Sequence, residues 1–406
     1  MTGPTHAPEL RSWVESANHP ATDFPIQNLP FVMFEHAGDA RLGVGIGDRI
    51  LDATAAFGIT CMKDMMAMPR AARWELRSRI SALLAESAAA AQSLLVPMAG
   101  ARLLMPCQIG DFSDFYASIH HAANVGKMLR PDNPLLPNYK WLPVGYHGRA
   151  SSIVLTGTPV RRPRGQTVET PAGPPSFGPS RRVDYEVELG AFIGPGNAMG
   201  EAIPAVEAFD HLFGVCLLND WSARDIQSWE YQPLGPFLAK SFATSISPWV
   251  VTMEALEPFR CAPEARPESD PQPLPHLQTG GNDALRITLE VWLRTPRSAP
   301  VRLSRGNFAS MYWTLAQMVA HHASNGCNLR PGDLIGSGTV SGPEKENRGC
   351  LLELTWRGTE PLHLPSGETR RFLEDGDEVI LRGYCEALGF RRIGFGECRG
   401  QVIAAA

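Results

Sequence analysis

The chain has 406 residues, 44% hydrophobic and 19% charged, enough to bury a large core and, from its length, to form two or three domains. Its formal net charge of −5 leaves no basic field to attract nucleic acid or an anionic membrane. No apolar run approaches a membrane span, and Met1 to Glu15 lacks the basic-then-apolar layout of a signal peptide, so a cytoplasmic protein is expected.

Residues 1–106 read as a small mixed domain. Arg41 to Leu51 predicts a strand and turn. Gly43, Gly45 and Gly47 alternate there as G-x-G-x-G, without the strand–turn–helix context of a dinucleotide site. Pro69 to Leu95 predicts a helix, with proline near its start and Trp74, Ile80, Leu83 and Leu84 at helical spacings. Ala88 to Ala91 fits a helix as well. The eight cysteines (Cys61, Cys107, Cys216, Cys261, Cys327, Cys350, Cys385 and Cys398) form no C-x-x-C pair and show no zinc spacing with histidine. They are expected to be free thiols in a reducing compartment.

After Pro106, short apolar strands alternate with Gly/Pro-rich turns. The segment Asp114 to His121 combines a carboxylate, the phenol of Tyr116 and the adjacent His120 and His121. A histidine here could act as a general base, and paired histidines are also common as ordinary surface or capping residues. His147, in Gly145-Tyr146-His147-Gly148, reads as a turn residue. In Val183 to Leu189, Glu186 and Glu188 project from one strand face and Tyr185, Val187 and Leu189 from the other. Two carboxylates so close suit either a solvated face or a hard cation such as Ca²⁺ or Mg²⁺.

The apolar run Val215 to Leu218 leads into Asp220 at a strand end. Arg224 and Gln227 follow, sharing a face if the segment is helical, though an exposed charged turn fits too. Glu257 to Asp283 carries six prolines and reads as a long exposed loop. Leu285, Ile287, Leu289, Val291 and Leu293 alternate as a strand with one buried face. Ser310 to Ser324 predicts a helix closed by Asn325-Gly326, with His321-His322 in a structural role. Two familiar chemistries fall away. The serine of Gly338 to Gly342 stands one place late for a G-x-S-x-G elbow, and Lys240-Ser241 lacks the glycines of a P-loop.

Longer motifs carry a resemblance. They include Asp23 to Pro30, Asp114-Phe115-Tyr116 with His121-Ala122, Leu142 to Ser152, and Asn219 to Gln227. Trp229-Glu230-Tyr231, Pro233 to Phe237, Lys240-Ser241-Phe242, Ser324 to Asp333 and Gly336 to Thr339 continue in the same order. In these segments the chain resembles the fumarylacetoacetate hydrolase family almost end to end.

The resemblance implies a mainly β (α+β) fold: an N-terminal SH3-like β-barrel over 1–106, then a catalytic β-sandwich roll over 107–406 with the Pro-rich insertion near 257–283. It implies a homodimer acting on a small dicarboxylate diketone. The expected reaction is cleavage of the carbon–carbon bond of 4-fumarylacetoacetate to fumarate and acetoacetate, the last step of tyrosine and phenylalanine degradation. Asp114, Glu186, Glu188 and Asp220 would bind Ca²⁺ or Mg²⁺, with Lys240 and Thr244 completing a nearby cation and anion site. Tyr116, Arg130, Tyr146, Gln227, Tyr231 and Thr339 match substrate contacts. His121 matches the catalytic base and Glu353 the acid that orients it, while Arg224, Gln227 and Lys240 are expected as oxyanion donors. A related acylpyruvate or β-diketo acid hydrolase and a non-catalytic binding protein of the same fold are the rival readings. His120 departs from the family pattern. The insertion looks longer than expected and reads as a surface elaboration.

Overall fold

The alternation read from Leu285 to Leu293 becomes the strand Thr288–Arg294, with Leu289, Val291 and Leu293 buried. The computed structural model describes residues 3–170 and 173–406. In it this strand belongs to a five-stranded sheet ordered Val301–Asn307, Thr288–Arg294, Glu378–Cys385, Ile393–Ile403 and Val160–Arg161. Only the last pairing is parallel. A larger mixed sheet runs Gly145–His147, Phe112–Phe115, Leu334–Gly336, Val187–Ile193, Leu212–Asp220, Thr244–Ile246 and Ile153–Leu155. Leu189, Ala191, Val215 and Leu217 of the larger sheet share one core with Leu289, Val291, Val379 and Leu381 of the smaller. Each buried Leu or Val among them contributes about 1.5–3 kcal/mol by leaving water.

The opposite face of the larger sheet positions the site. Side chains two residues apart share a face. Phe112, Phe192, Cys216 and Leu218 point away from the first core and pack against Phe31, Met65, Leu76 and Ile80 of the N-terminal region. Further along the same faces stand Asp114, Glu188 and Asp220, so the sheet passes from an apolar, covered end to an acidic one.

The N-terminal region holds a five-stranded antiparallel sheet: Leu95–Pro97, Arg49–Asp52, Asp39–Ile46, Phe31–His36 and Arg102–Leu104, in that spatial order. The fold is thus mainly β with some helices. All eight cysteines are free, and among the described residues no helix is long and apolar enough to cross a membrane.

Four local expectations need correction. The helix expected from Pro69 to Leu95 covers Arg70–Leu84. Ala85 is extended and bridges to Ser12, and Glu86 N–H bonds Arg11 O at 2.9 Å, so strand-like pairing overrides the helix propensity of Ala88 to Ala91. The helix expected from Ser310 begins at Leu315, because Thr314 and Gln317 form a reciprocal capping box, and Phe308–Ser310 is a separate 3₁₀ turn. His147 lies in a strand opposite Ser113 rather than in a turn.

The Pro-rich segment 257–283 holds only two 3₁₀ turns and the short strand Arg260–Cys261, yet it is anchored, not a free surface loop. Phe259, Asp270, Leu277 and Asp283 are buried. Asp270 pairs with Lys140 and accepts a bond from Tyr312 Oη at 3.1 Å, while the Arg266 guanidinium lies 4.2 Å from the Tyr312 ring centroid. Leu277 belongs to the main core, and its carbonyl accepts from Gln317 Nε2 at 3.1 Å. Leu277→Ala should therefore cost about 2–5 kcal/mol in urea unfolding. A loss within about 0.5 kcal/mol would return the segment to the surface.

Candidate active site

Lateral strand pairing brings distant acids together. Gly336 sits between two strands, opposite Asp114 on one side and Gly190 on the other. A Cβ at Gly336 would run into Asp114 Oδ1, so only glycine lets Asp114 and Glu188 approach across this strand. Gly338, at φ +76°, donates its N–H to Glu188 Oε2 at 3.0 Å and to Asp114 Oδ1 at 3.3 Å. Asp220 arrives from the end of Leu212–Asp220. Asp114, Glu188 and Asp220 each offer an oxygen within 4.8 Å of the others, and all three are buried.

Glu188 Oε1 and Asp220 Oδ1 are buried with no hydrogen-bond partner. Desolvation, then the neighbouring carboxylates, hold the Asp114 and Glu188 carboxyls well above the usual range. Crowded, dry and partly unpaired oxygens of this kind fit an oxygen-loving cation.

Glu186 stands beside this trio rather than within it. It forms an ion pair with Lys240, meets Arg224 Nη1 at 2.7 Å and lies 3.8 Å from His121 Nε2. Burial alone would raise its carboxyl, but Lys240, Arg224 and His121 together hold it below the ordinary value. Lys240 also donates to Asp220 Oδ2 at 2.7 Å, and Thr244 is buried opposite Asp220 in the strand register. Tyr146 Oη lies 2.8 Å from Asp220 Oδ2 and 3.1 Å from Asp114 Oδ2, and its single proton donates to one of them. Lys240 and Arg224 supply the positive charge that meets Glu186 and Asp220.

His121 lies in the first turn of the helix Ile119–Leu129, where the Ser118 side chain caps its N–H. Its Nδ1 meets Glu353 Oε2 at 2.6 Å, directing Nε2 toward Glu186. Burial would raise Glu353, but the His121 ring and bonds from His121, Asn124 and Cys350 outweigh it and lower the carboxyl to about 2. Asn124 Nδ2 and Ser341 Oγ bond Glu353 at 2.9 and 2.8 Å, so both its oxygens are fixed. His120, on the next helical position, is half-buried and has no such partner among the described residues.

The other expected residues fall at different distances from this centre. Tyr116 packs edge-on against the His121 ring at 5.2 Å, and desolvation, then Glu353 and Glu186, push its phenol up. Gln227 Oε1 accepts from Arg224 Nη1 at 3.1 Å within the helix Arg224–Glu230. Arg130 ends the helix of His121, and its Nε is buried without a partner, as are Arg224 Nη2 and Thr339 Oγ1. Tyr231 closes the helix Arg224–Glu230 but makes no side-chain hydrogen bond to the cluster among the described residues.

Residues 112–403 match the family described as fumarylacetoacetate (FAA) hydrolase C-terminal, and residues 27–106 match fumarylacetoacetase N-terminal. The chain belongs to the fumarylacetoacetate hydrolase family. It is 48% identical to the fumarylacetoacetase of Bos taurus, covering 95% of this chain and 97% of that one. It is 50% identical to that of Caenorhabditis elegans over the same shares. Among solved structures it is similar to a fumarylacetoacetate hydrolase from Exiguobacterium antarcticum, with TM-score 0.54 and 18% identity over 93% of this chain and 99% of that one. It is also similar to a maleylpyruvate hydrolase from Sphingobium described with manganese(II) and pyruvate, with TM-score 0.53 and 18% identity over 93% and 100%. Those two likenesses speak for the fold of the family.

Sequence reasoning passed over Asp184 and Ser341. Asp184 continues the alternation of Glu186 and Glu188, a signal that was present. Ser341 was weighed only as a nucleophile, whereas its hydroxyl serves Glu353.

Proposed function

We propose that this chain hydrolyses the carbon–carbon bond of 4-fumarylacetoacetate, releasing fumarate and acetoacetate as the last step of tyrosine and phenylalanine degradation. The named fumarylacetoacetases that it matches over nearly their whole length support this reading. The observation that carries it is the buried His121–Glu353 pair at 2.6 Å, with Nε2 turned toward Glu186 and the acidic cluster. This is the base-and-orienter arrangement of a triad, with water in place of a serine.

In this mechanism, His121 Nε2 removes a proton from water, and the hydroxide oxygen adds to the carbonyl next to the scissile bond. Glu353 accepts the Nδ1 proton's hydrogen bond throughout and holds the ring's tautomer. A divalent cation, Ca²⁺ or Mg²⁺, held by Asp114, Glu188 and Asp220 with Glu186 alongside, would polarise the diketone. Arg224, Gln227 and Lys240 face the oxyanion as donors, and the unpartnered Arg224 Nη2 is available for this. One donor of this kind is worth about 2.7–4 kcal/mol of transition-state stabilisation. Bond cleavage places the electron pair on the acetoacetate carbon, which the His121 imidazolium reprotonates. Arg130 Nε, Thr339 Oγ1, Tyr116, Tyr146 and Tyr231 hold the terminal carboxylates and enol oxygens. Lys240 and Thr244 complete the second ion site beside Asp220.

Residues 1–106 form the SH3-like barrel in this reading, supported by a four-strand meander whose fifth strand returns beside the first. Residues 107–406 form the catalytic roll. The chain acts as a cytoplasmic homodimer.

Incubation of the purified protein with fumarylacetoacetate tests the reaction. The diketone absorbance should fall as fumarate accumulates in equal amount. A larger kcat/KM on an acylpyruvate in the same assay would replace this substrate with that one.

A further inference from the structure

Asp184 is fully buried, and each of its oxygens takes two donors. Oδ1 accepts from the N–H groups of Tyr185 and Leu351, both at 2.8 Å. Oδ2 accepts from Leu352 N–H and Arg224 Nε, both at 2.9 Å. All four partners are N–H donors, so the group accepts as a carboxylate. Leu351 and Leu352 open the short helix Leu351–Leu354, whose third residue is Glu353. The other arm of Arg224 reaches Glu186 at 2.7 Å and Gln227 at 3.1 Å. One carboxylate therefore grips both the backbone that carries the orienting acid and the guanidinium that faces the acidic cluster. These two elements are 40 and 167 residues from Asp184 in sequence.

We propose that Asp184 is a positioning residue that locks Arg224 and Glu353 in one geometry and so fixes the distance between His121 Nε2 and the oxyanion donors. The inference rests on the functional reading above, because it assigns what those two residues are held for. A carboxylate serving only to stabilise the fold would not need to span these two partners. Its loss would lower stability without a selective loss of turnover.

Asp184→Asn separates the possibilities. An asparagine has one acceptor oxygen, and its amide NH₂ faces two N–H donors whichever way it turns, so two of the four bonds are lost. At a temperature where the variant is folded by circular dichroism, kcat on fumarylacetoacetate should fall about 10²-fold with KM changed much less. In an Arg224→Gln background the same change should cost much less than it does alone, because its route through Arg224 is already gone. A folded Asp184→Asn enzyme with parental kcat overturns the proposal, as does full multiplication of the two losses. If Asp184→Asn does not fold, Arg224→Lys reads the link from the other end. Lysine cannot replace the Nε bond to Asp184, so hydrogen exchange at the Leu351 and Leu352 amides should quicken. Unchanged exchange there overturns the link. That measurement needs no substrate, so a parent enzyme inactive on fumarylacetoacetate would defeat the functional reading and leave the exchange result to judge Asp184.

Discussion

His121→Ala should lower turnover of fumarylacetoacetate by about 10²–10⁴-fold, the usual worth of a well-placed acid–base group. His120→Ala should do far less. The two histidines are neighbours in sequence but not in chemistry. His121 has one ring nitrogen fixed by Glu353 at 2.6 Å and the other directed at Glu186, and it is buried. His120 sits one helical step of about 100° away, half-buried and, among the described residues, without a carboxylate to set its tautomer. His121→Ala should leave the fold and divalent-ion binding intact, because its ring is not among the three clustered carboxylates. Steady-state kinetics with calorimetry on both variants checks the assignment. Exchanged effects would move the base to His120, and equal mild effects would remove histidine from the chemistry.

The sequence showed which acids matter more clearly than how they meet. The alternation of Glu186 and Glu188 gives their shared face, and the apolar run before Asp220 gives a strand end. Nothing local reveals that Gly336 lies between Asp114 and Gly190, because the register of non-neighbouring strands is set by tertiary pairing. The same limit explains Glu186. Its partners Lys240 and Arg224 are remote in sequence, and they take up both of its oxygens, whereas Glu188 and Asp220 each keep one oxygen without a partner. Composition also misjudged the segment 257–283. Its prolines keep regular elements short but say nothing of the Asp270–Lys140 pair or the buried Leu277. Ala88 to Ala91 favours helix locally, yet pairing near Ser12 ends the helix first.

Glu188→Gln should abolish tight binding of Ca²⁺ and Mg²⁺ while leaving the metal-free protein at least as stable as the parent. Glutamine keeps the size of the side chain and an oxygen for the Gly338 N–H, but it cannot ionise to meet a cation, in a dry cluster where the carboxyls disfavour one another's charge. The repulsion that a cation relieves in the parent is then smaller from the start. In thermal melts the parent should gain stability with added cation, by about 2.7 kcal/mol at a hundred times its dissociation constant. Glu188→Gln should gain little, and the two melting curves should converge or cross as cation is added. Glu186→Gln provides the contrast, since both of its oxygens already face Lys240 and Arg224. It should weaken binding less than Glu188→Gln in isothermal titration. A reversed order would place Glu186 at the centre of the ion site and Glu188 at its edge. Equal cation-dependent stabilisation of parent and Glu188→Gln would remove Glu188 from the ligand set.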